Sequence, residues 1–246
     1  MDARGGAGQA APLRTIGLLG GMSDKATAEY YRRINAGVNA RRGGWSTAEI
    51  IISSVDFAQI VRVVRGDLWE EAGDYLAGKA RGLERAGAEV LACVSNTMHR
   101  VSDAFTAGAA IPFIHIGDAT GEAIVAAGLG KVGLLGTLPV MAGPTFTGHF
   151  SQRFGLDVLT PPAHEQVQVD SIIFDELVRG EVLEASRVRL LAIVDALAAR
   201  GAEGVVLGCT EFTLIVEQAD RPGLPMFDTT ALHVEALCRF ATSEAV

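Results

Sequence analysis

The sequence predicts an α/β protein of two pseudo-symmetric lobes, each a mainly parallel sheet flanked by helices, with the functional cleft between them. Two observations carry this. Short apolar runs alternate with longer helical patterns along the chain, the pattern of parallel strands joined by helices. The chain also repeats itself. Gly87-Ala88-Glu89 leads through an apolar run to Ser95-Asn96-Thr97, and Gly201-Ala202-Glu203 leads through another to Cys209-Thr210-Glu211, with the same spacing from the glycine to Ser95 and to Cys209. Ile16-Gly17-Leu18-Leu19-Gly20 returns as Val132-Gly133-Leu134-Leu135-Gly136, and Pro112-Phe113-Ile114 returns as Pro225-Met226-Phe227. A repeat this long, in two copies, makes two similar lobes rather than a solenoid. If they pack about a pseudo-twofold axis, Ser95 and Cys209 face each other at the carboxyl ends of the strands, where α/β sheets hold ligands.

Composition narrows the function classes. The 246 residues suffice for one large or two small domains with sizeable cores. The net charge of −8 comes with no basic cluster, which argues against nucleic acid as a partner. No apolar run approaches the roughly 18 residues of a membrane span. Three cysteines, Cys93, Cys209 and Cys238, form neither a disulfide framework nor a zinc spacing. The five histidines, His99, His115, His149, His164 and His233, are scattered without ligand spacing, so no metal is expected. Sparse cysteine fits a reducing, cytoplasmic home. Residues 1–14 are rich in Gly and Ala and lack the apolar core of a signal peptide, so they read as a disordered tail. Residues 15–117 then read as the first lobe, with part of the C-terminal segment packing back on it. Residues 118–228 read as the second lobe and 229–246 as a closing helix.

Each element has a local reason. Thr15 to Gly20 reads as the first strand. Gly20-Gly21-Met22-Ser23 is a turn, and Ser23 or Asp24 caps a helix to about Arg42. The turn lacks the spacing of a dinucleotide fingerprint; its backbone N–H groups are expected to face the cleft and bind a carboxylate. Ala48 to Ser53 is a second strand. Leu68, Ala72, Leu76, Ala80 and Leu83 share one helical stripe. Val90 to Val94 is a third strand, and Asn96 and Thr97 cap the helix holding His99. Pro112 to Ile116 is a fourth strand, with Asp118 the cap that follows. Val132 to Gly136 opens the second sheet, where Thr137 takes the place of Gly21. Pro139 to Pro144 reads as loop or an irregular helix start, Asp157 to Leu159 as a short strand, and Pro161-Pro162 as a break. Helices follow at about Glu165 to Val178 and Val182 to Ala199, the second with Leu183, Leu190, Leu191, Val194 and Leu197 on one face. Gly204 to Leu207 is a buried strand, Pro225 to Asp228 another, and the last helix holds Cys238. Cys93 and Cys238 read as core residues.

Three stretches in this order, Ile16-Gly17-Leu18-Leu19-Gly20-Gly21-Met22, Ser95-Asn96-Thr97 and Gly208-Cys209-Thr210-Glu211, resemble the aspartate/glutamate racemase family. The resemblance runs from about Thr15 through nearly the whole chain. It implies a cofactor-independent isomerase acting on a small amino acid, a homodimer, and two catalytic residues on opposite sides of the substrate α-carbon. One removes the α-proton and the other returns one; two thiols suit this, since free cysteine titrates near pH ~8.5. Those positions map onto Ser95 and Cys209. The resemblance assigns Asn96, Thr97, Thr137 and Thr210 to the substrate's carboxylate and amino groups, places Met22 and Ser54 at the cleft, and lets Glu211 tune the thiol.

Two departures stand out. Ser95 occupies a place usually held by cysteine, and a hydroxyl relays protons poorly. Three readings follow: membership of the broad-specificity amino-acid racemase branch, which carries a hydroxyl residue there; an inactive Cys→Ser variant; or a one-thiol relative such as a decarboxylase that protonates from one face. Gly20-Gly21-Met22-Ser23, Ser54-Val55-Asp56-Phe57 and Asn96-Thr97-Met98-His99 look like the first. A binding protein that has lost half its proton machinery is a fourth reading, disfavoured because Cys209, Thr210 and Glu211 are all present. The second departure is that Glu165-Gln166-Val167-Gln168 lacks the lysine that aspartate-specific members use for the side-chain carboxylate. Arg62 is then the nearest candidate, and a wider range of amino acids is expected.

Overall fold

A computed structural model describes residues 12–243. The first sheet has the order β2-β1-β3, with β1 (Ile16–Gly20) between β2 (Ile50–Ser54) and β3 (Val90–Cys93). The second has the order β5-β4-β6-β7, with β4 (Lys131–Gly136), β5 (Asp157–Leu159), β6 (Gly204–Gly208) and β7 (Met226–Asp228). All pairs are parallel. The strands β1, β3 and β6 are buried along their whole length, which explains their unbroken apolar runs.

The repeat has a physical cause. Gly87 and Gly201 take φ of 100° and 94°, the left-handed region that ends each preceding helix and favours glycine. The glutamate two residues on closes the start of the neighbouring strand. Glu89 accepts the Thr15 N–H at 2.7 Å, and Glu203 accepts those of Gly130 and Lys131 at 2.8 and 2.9 Å. The registers correspond too: Gly17 pairs with Leu91 and Gly133 with Val205. The fourth strand differs. β7 pairs with β6, but its first-sheet counterpart shrinks to one bridge, Leu91 to Phe113, so the expected strand over 112–116 does not form.

The helices are α1 (Asp24–Arg42), α2 (Phe57–Arg65), α3 (Trp69–Arg85), α4 (Ser102–Thr106), α5 (Ile116–Ala126), α6 (Leu138–Ala142), α7 (Pro144–Phe154), α8 (Ala163–Ser171), α9 (Glu184–Ala199) and α10 (Thr229–Thr242). Ser23 caps α1 through the Ala26 N–H, as the sequence suggests. Ala72, Leu76, Ala80 and Leu83 line the buried face of α3, whereas Leu68 precedes the helix and is exposed. Leu183 likewise precedes α9 and is exposed, while Leu190, Leu191, Val194 and Leu197 are buried. α10 packs on α1 and α5, placing Val234, Leu237, Cys238 and Ala241 in one core with Ile16, Leu18, Tyr30 and Ile34.

Several expectations are corrected. The cap of α5 is His115, whose Nδ1 accepts the Gly117 N–H at 2.9 Å; Asp118 pairs instead with Arg153 and His149. The stretch 139–144, expected as loop or an irregular helix start, holds most of the short helix α6 and the first residue of the regular helix α7, because a proline is favourable in the first turn. The helix expected to run unbroken to Val178 passes at Ile172–Glu176 into a π-turn, then a 3₁₀ turn, Leu177–Arg179. Residues 1–11 of the expected tail lie outside the described residues. Arg14 is tied down, its N–H on the Ala241 carbonyl at 3.0 Å and its guanidinium 3.7 Å from the Phe240 ring centre. Among the described residues no helix is long and apolar enough to cross a membrane.

Candidate active site

One cavity lies where the two sheets present their carboxyl ends. Met22, Ser95, Asn96 and Thr97 line it from the first lobe; Thr137, Gly208, Cys209, Thr210 and Glu211 line it from the second. β3 and β6 thus deliver Ser95 and Cys209 to one space. Its outer wall is apolar: Phe57, Ile60, Val61 and Val64 from α2, and Ile173, Phe174 and Val178 from the segment after α8. Sequence reading missed this wall. The amphipathic spacing of α2 could have found half of it; the π-turn carries no local sequence signal.

Glu211 is the electrostatic centre. It is buried, and its Oε2 accepts from the Cys209 thiol at 3.1 Å and from the Thr210 hydroxyl at 2.6 Å. Its Oε1 accepts from the Ser23 hydroxyl at 2.8 Å, so the α1 cap also serves the site. Cys209 is 6 % exposed. Burial, then the Glu211 charge, push its thiol well above the ordinary cysteine range. The group is therefore a thiol at neutral pH, and its thiolate is a strong base.

Ser95 is 8 % exposed. Its Oγ accepts the Met98 N–H at 3.3 Å, so Ser95, not Asn96 or Thr97, caps the turn that follows. Its carbonyl is held by His99. The Ile116 N–H donates to His99 Nε2 at 3.2 Å, which makes Nε2 the acceptor and leaves Nδ1–H to donate to the Ser95 carbonyl at 2.7 Å. Burial holds His99 well below its ordinary titration range, so the ring is neutral. Asn96 Nδ2 donates to the Thr229 hydroxyl at 3.1 Å, which itself donates to the Leu207 carbonyl at 3.0 Å. That chain fixes the amide orientation and leaves Asn96 Oδ1 buried without a partner. The hydroxyls of Thr97 and Thr137 lie 2.9 Å apart across the cleft.

Three expectations fail on geometry. Ser54 is exposed at the end of β2, outside the cavity lining. Arg62 is turned away and paired with Glu71. The Gly21 N–H, expected to face the cleft, is taken by the Thr27 hydroxyl at 2.7 Å. Away from the cavity, His115, Asp118 and His149 lie close enough to ligate a metal. They fit one poorly. His115 Nδ1 is already an acceptor, the His115 and His149 rings stack 4.3 Å apart rather than converge, and Arg153 sits 2.8 Å from the Asp118 carboxylate.

Comparison with known proteins accounts for this arrangement. Residues 19–237 match the Asp/Glu/hydantoin racemase family profile. A Yersinia pestis protein described as a candidate Asp/Glu racemase is 39 % identical, with TM-score 0.88 over 94 % of this chain and 100 % of that one. An aspartate racemase homologue from Pyrococcus horikoshii is 31 % identical, with TM-score 0.79 over 94 % and 100 %. An aspartate racemase from Picrophilus torridus shares the fold at 18 % identity, with TM-score 0.74 over 93 % and 94 %. Fold and kinship together define a racemase-type isomerase with two parallel-sheet lobes. The chain belongs to the Asp/Glu/hydantoin racemase family.

Proposed function

We propose that the protein racemises α-amino acids with neutral side chains, without a cofactor, using Cys209 and Ser95 on opposite sides of the α-carbon. One observation supports this above others: Cys209, Ser95 and a set of hydroxyl and amide groups converge on a cavity that, among the described residues, is lined by no lysine, arginine or histidine. No lysine is there to form a Schiff base, and no cation is there to grip a side-chain carboxylate. The apolar wall suits an aliphatic or aromatic side chain.

The chemistry follows from the contacts. The Thr97 and Thr137 hydroxyls donate to the substrate carboxylate and stabilise the charge that builds on it as the α-proton leaves. The unpaired Asn96 Oδ1 accepts from the ammonium group. Glu211 takes the Cys209 proton, and the thiolate removes the α-proton from one face. Once that proton has exchanged with solvent, redelivery of a solvent-derived one by Cys209 gives exchange with retention; delivery from the Ser95 side gives inversion. Proton NMR in deuterated water on a panel of L- and D-amino acids tests this. Neutral amino acids are expected to lose the α-proton signal, and aspartate to react least. Exchange on aspartate alone, or carbon dioxide loss from a substituted malonate with no amino-acid exchange, overturns the reading.

A further inference from the structure

The apolar wall has a charged fastening. At the end of α2, Arg65 Nη1 donates to Asp170 Oδ2 at 3.0 Å, and the guanidinium carbon lies 4.4 Å from the centre of the Phe174 ring. Asp170 is 5 % exposed. Its other oxygen accepts the Leu138 N–H at 2.8 Å, directly after Thr137. One buried carboxylate thus touches the wall helix of the first lobe and the cavity-lining turn of the second. A second link crosses nearby, where Lys25 Nζ donates to the Val178 carbonyl at 2.7 Å. Stability alone is a weak account, because a buried ion pair often does no better than apolar replacements. The free space inside is about 40 Å³. A water needs roughly 10–15 Å³ on this scale, so the cavity holds a few waters and not an amino acid. The wall must part for a substrate to enter.

We propose that Arg65 and Asp170 form a clasp between the lobes, which opens to admit substrate while Asp170 holds the Thr137 turn through the Leu138 N–H. Asp170 is a positioning residue. Arg65 already has half its side chain in water, so it leaves Asp170 and the Phe174 face without unfolding either lobe. Asp170 keeps the Leu138 N–H in both states. The statement about substrate rests on the racemase reading; the opening of the wall does not.

Cys209 reports the opening. Wild type, Arg65→Gln and Arg65→Lys are treated with iodoacetamide, and each labelled cysteine is followed by mass spectrometry. Cys93 and Cys238 are at most 1 % exposed and report unfolding. Arg65→Gln is expected to label Cys209 roughly tenfold faster, with the other two cysteines silent and Arg65→Lys near wild type. Salt speeds labelling of wild type and leaves Arg65→Gln unmoved. In the proton-exchange assay Arg65→Gln raises KM, and Asp170→Ala, which also frees the Leu138 N–H, lowers kcat more than Asp170→Asn. Labelling of Arg65→Gln at the wild-type rate with the wild-type salt response overturns the clasp. So does joint labelling of all three cysteines, which makes Arg65 a structural prop. Fast Cys209 labelling without exchange on any amino acid keeps the clasp and removes the racemase reading.

Discussion

The thiol of Cys209 and the carboxylate of Glu211 act as one unit, since the first donates to the second and shares its buried setting. Cys209→Ala should cut α-proton exchange by about 10²–10⁴-fold, the range for a removed acid–base group, as read by NMR. Glu211→Gln keeps an acceptor and removes a charge that raises the thiol's proton affinity. The alkylation–pH profile of Cys209 should therefore shift to lower pH, although burial still holds it above free cysteine. Ser95→Cys should raise inversion toward the exchange rate by about tenfold or more, measured as loss of optical rotation against deuterium uptake. These residues were legible because each copy of the repeat ends on its reactive group. Ser54 and Arg62 were misplaced because proximity in sequence says nothing about which way a side chain turns; Arg62 is one helical step from Val61, which does line the cavity.

Elements were legible where one signal is unambiguous: a cap in α1, an apolar stripe in α3 and α9. They were hidden where one signal has two meanings. Pro144 ends a stretch that reads as loop or an irregular helix start yet begins the regular helix α7, and Pro112 opens a segment that makes a single bridge. The π-turn at Ile172–Glu176 is set by the packing of Ile172 and Ile173 in the second-lobe core, so no local pattern announces it. Ser23 joins element and site: it caps α1 and donates to Glu211. Ser23→Ala should lower stability by about 1 kcal/mol in urea unfolding and slow proton exchange as well. Asp228→Ala, which removes the cap of α10 and the ion pair with Arg33, should lower stability at least as much, so a slower exchange in Ser23→Ala than in Asp228→Ala isolates the tie from Ser23 to the carboxylate.

At the scale of the molecule, histidines line the seam between the lobes. His99 lies 4.5 Å from His115 and 6.1 Å from His233, centre to centre. His233 donates from Nε2 to the Ile114 carbonyl and accepts from Tyr30 on Nδ1. Burial pushes His115 down to about 3 and His233 down to about 4, and holds His99 low as well. The folded chain refuses protons that the unfolded chain accepts near pH ~6.5. Stability should hold above that pH and fall as pH drops toward 4, by about 1.4 kcal/mol per group per pH unit. Urea midpoints at pH 7 and 5 measure this. The seam was not legible, because four of the five scattered histidines meet only once the lobes are assembled.

The repeated halves share one chain, and this bears on inheritance. Were each half made separately and paired with a copy of itself, any substitution at the tip of one strand would appear at both. Covalent joining lifts that constraint: one half can hold a hydroxyl while the other keeps a thiol. The two faces of a substrate then meet chemically unequal partners, and handedness becomes a property that mutation can adjust on one side at a time.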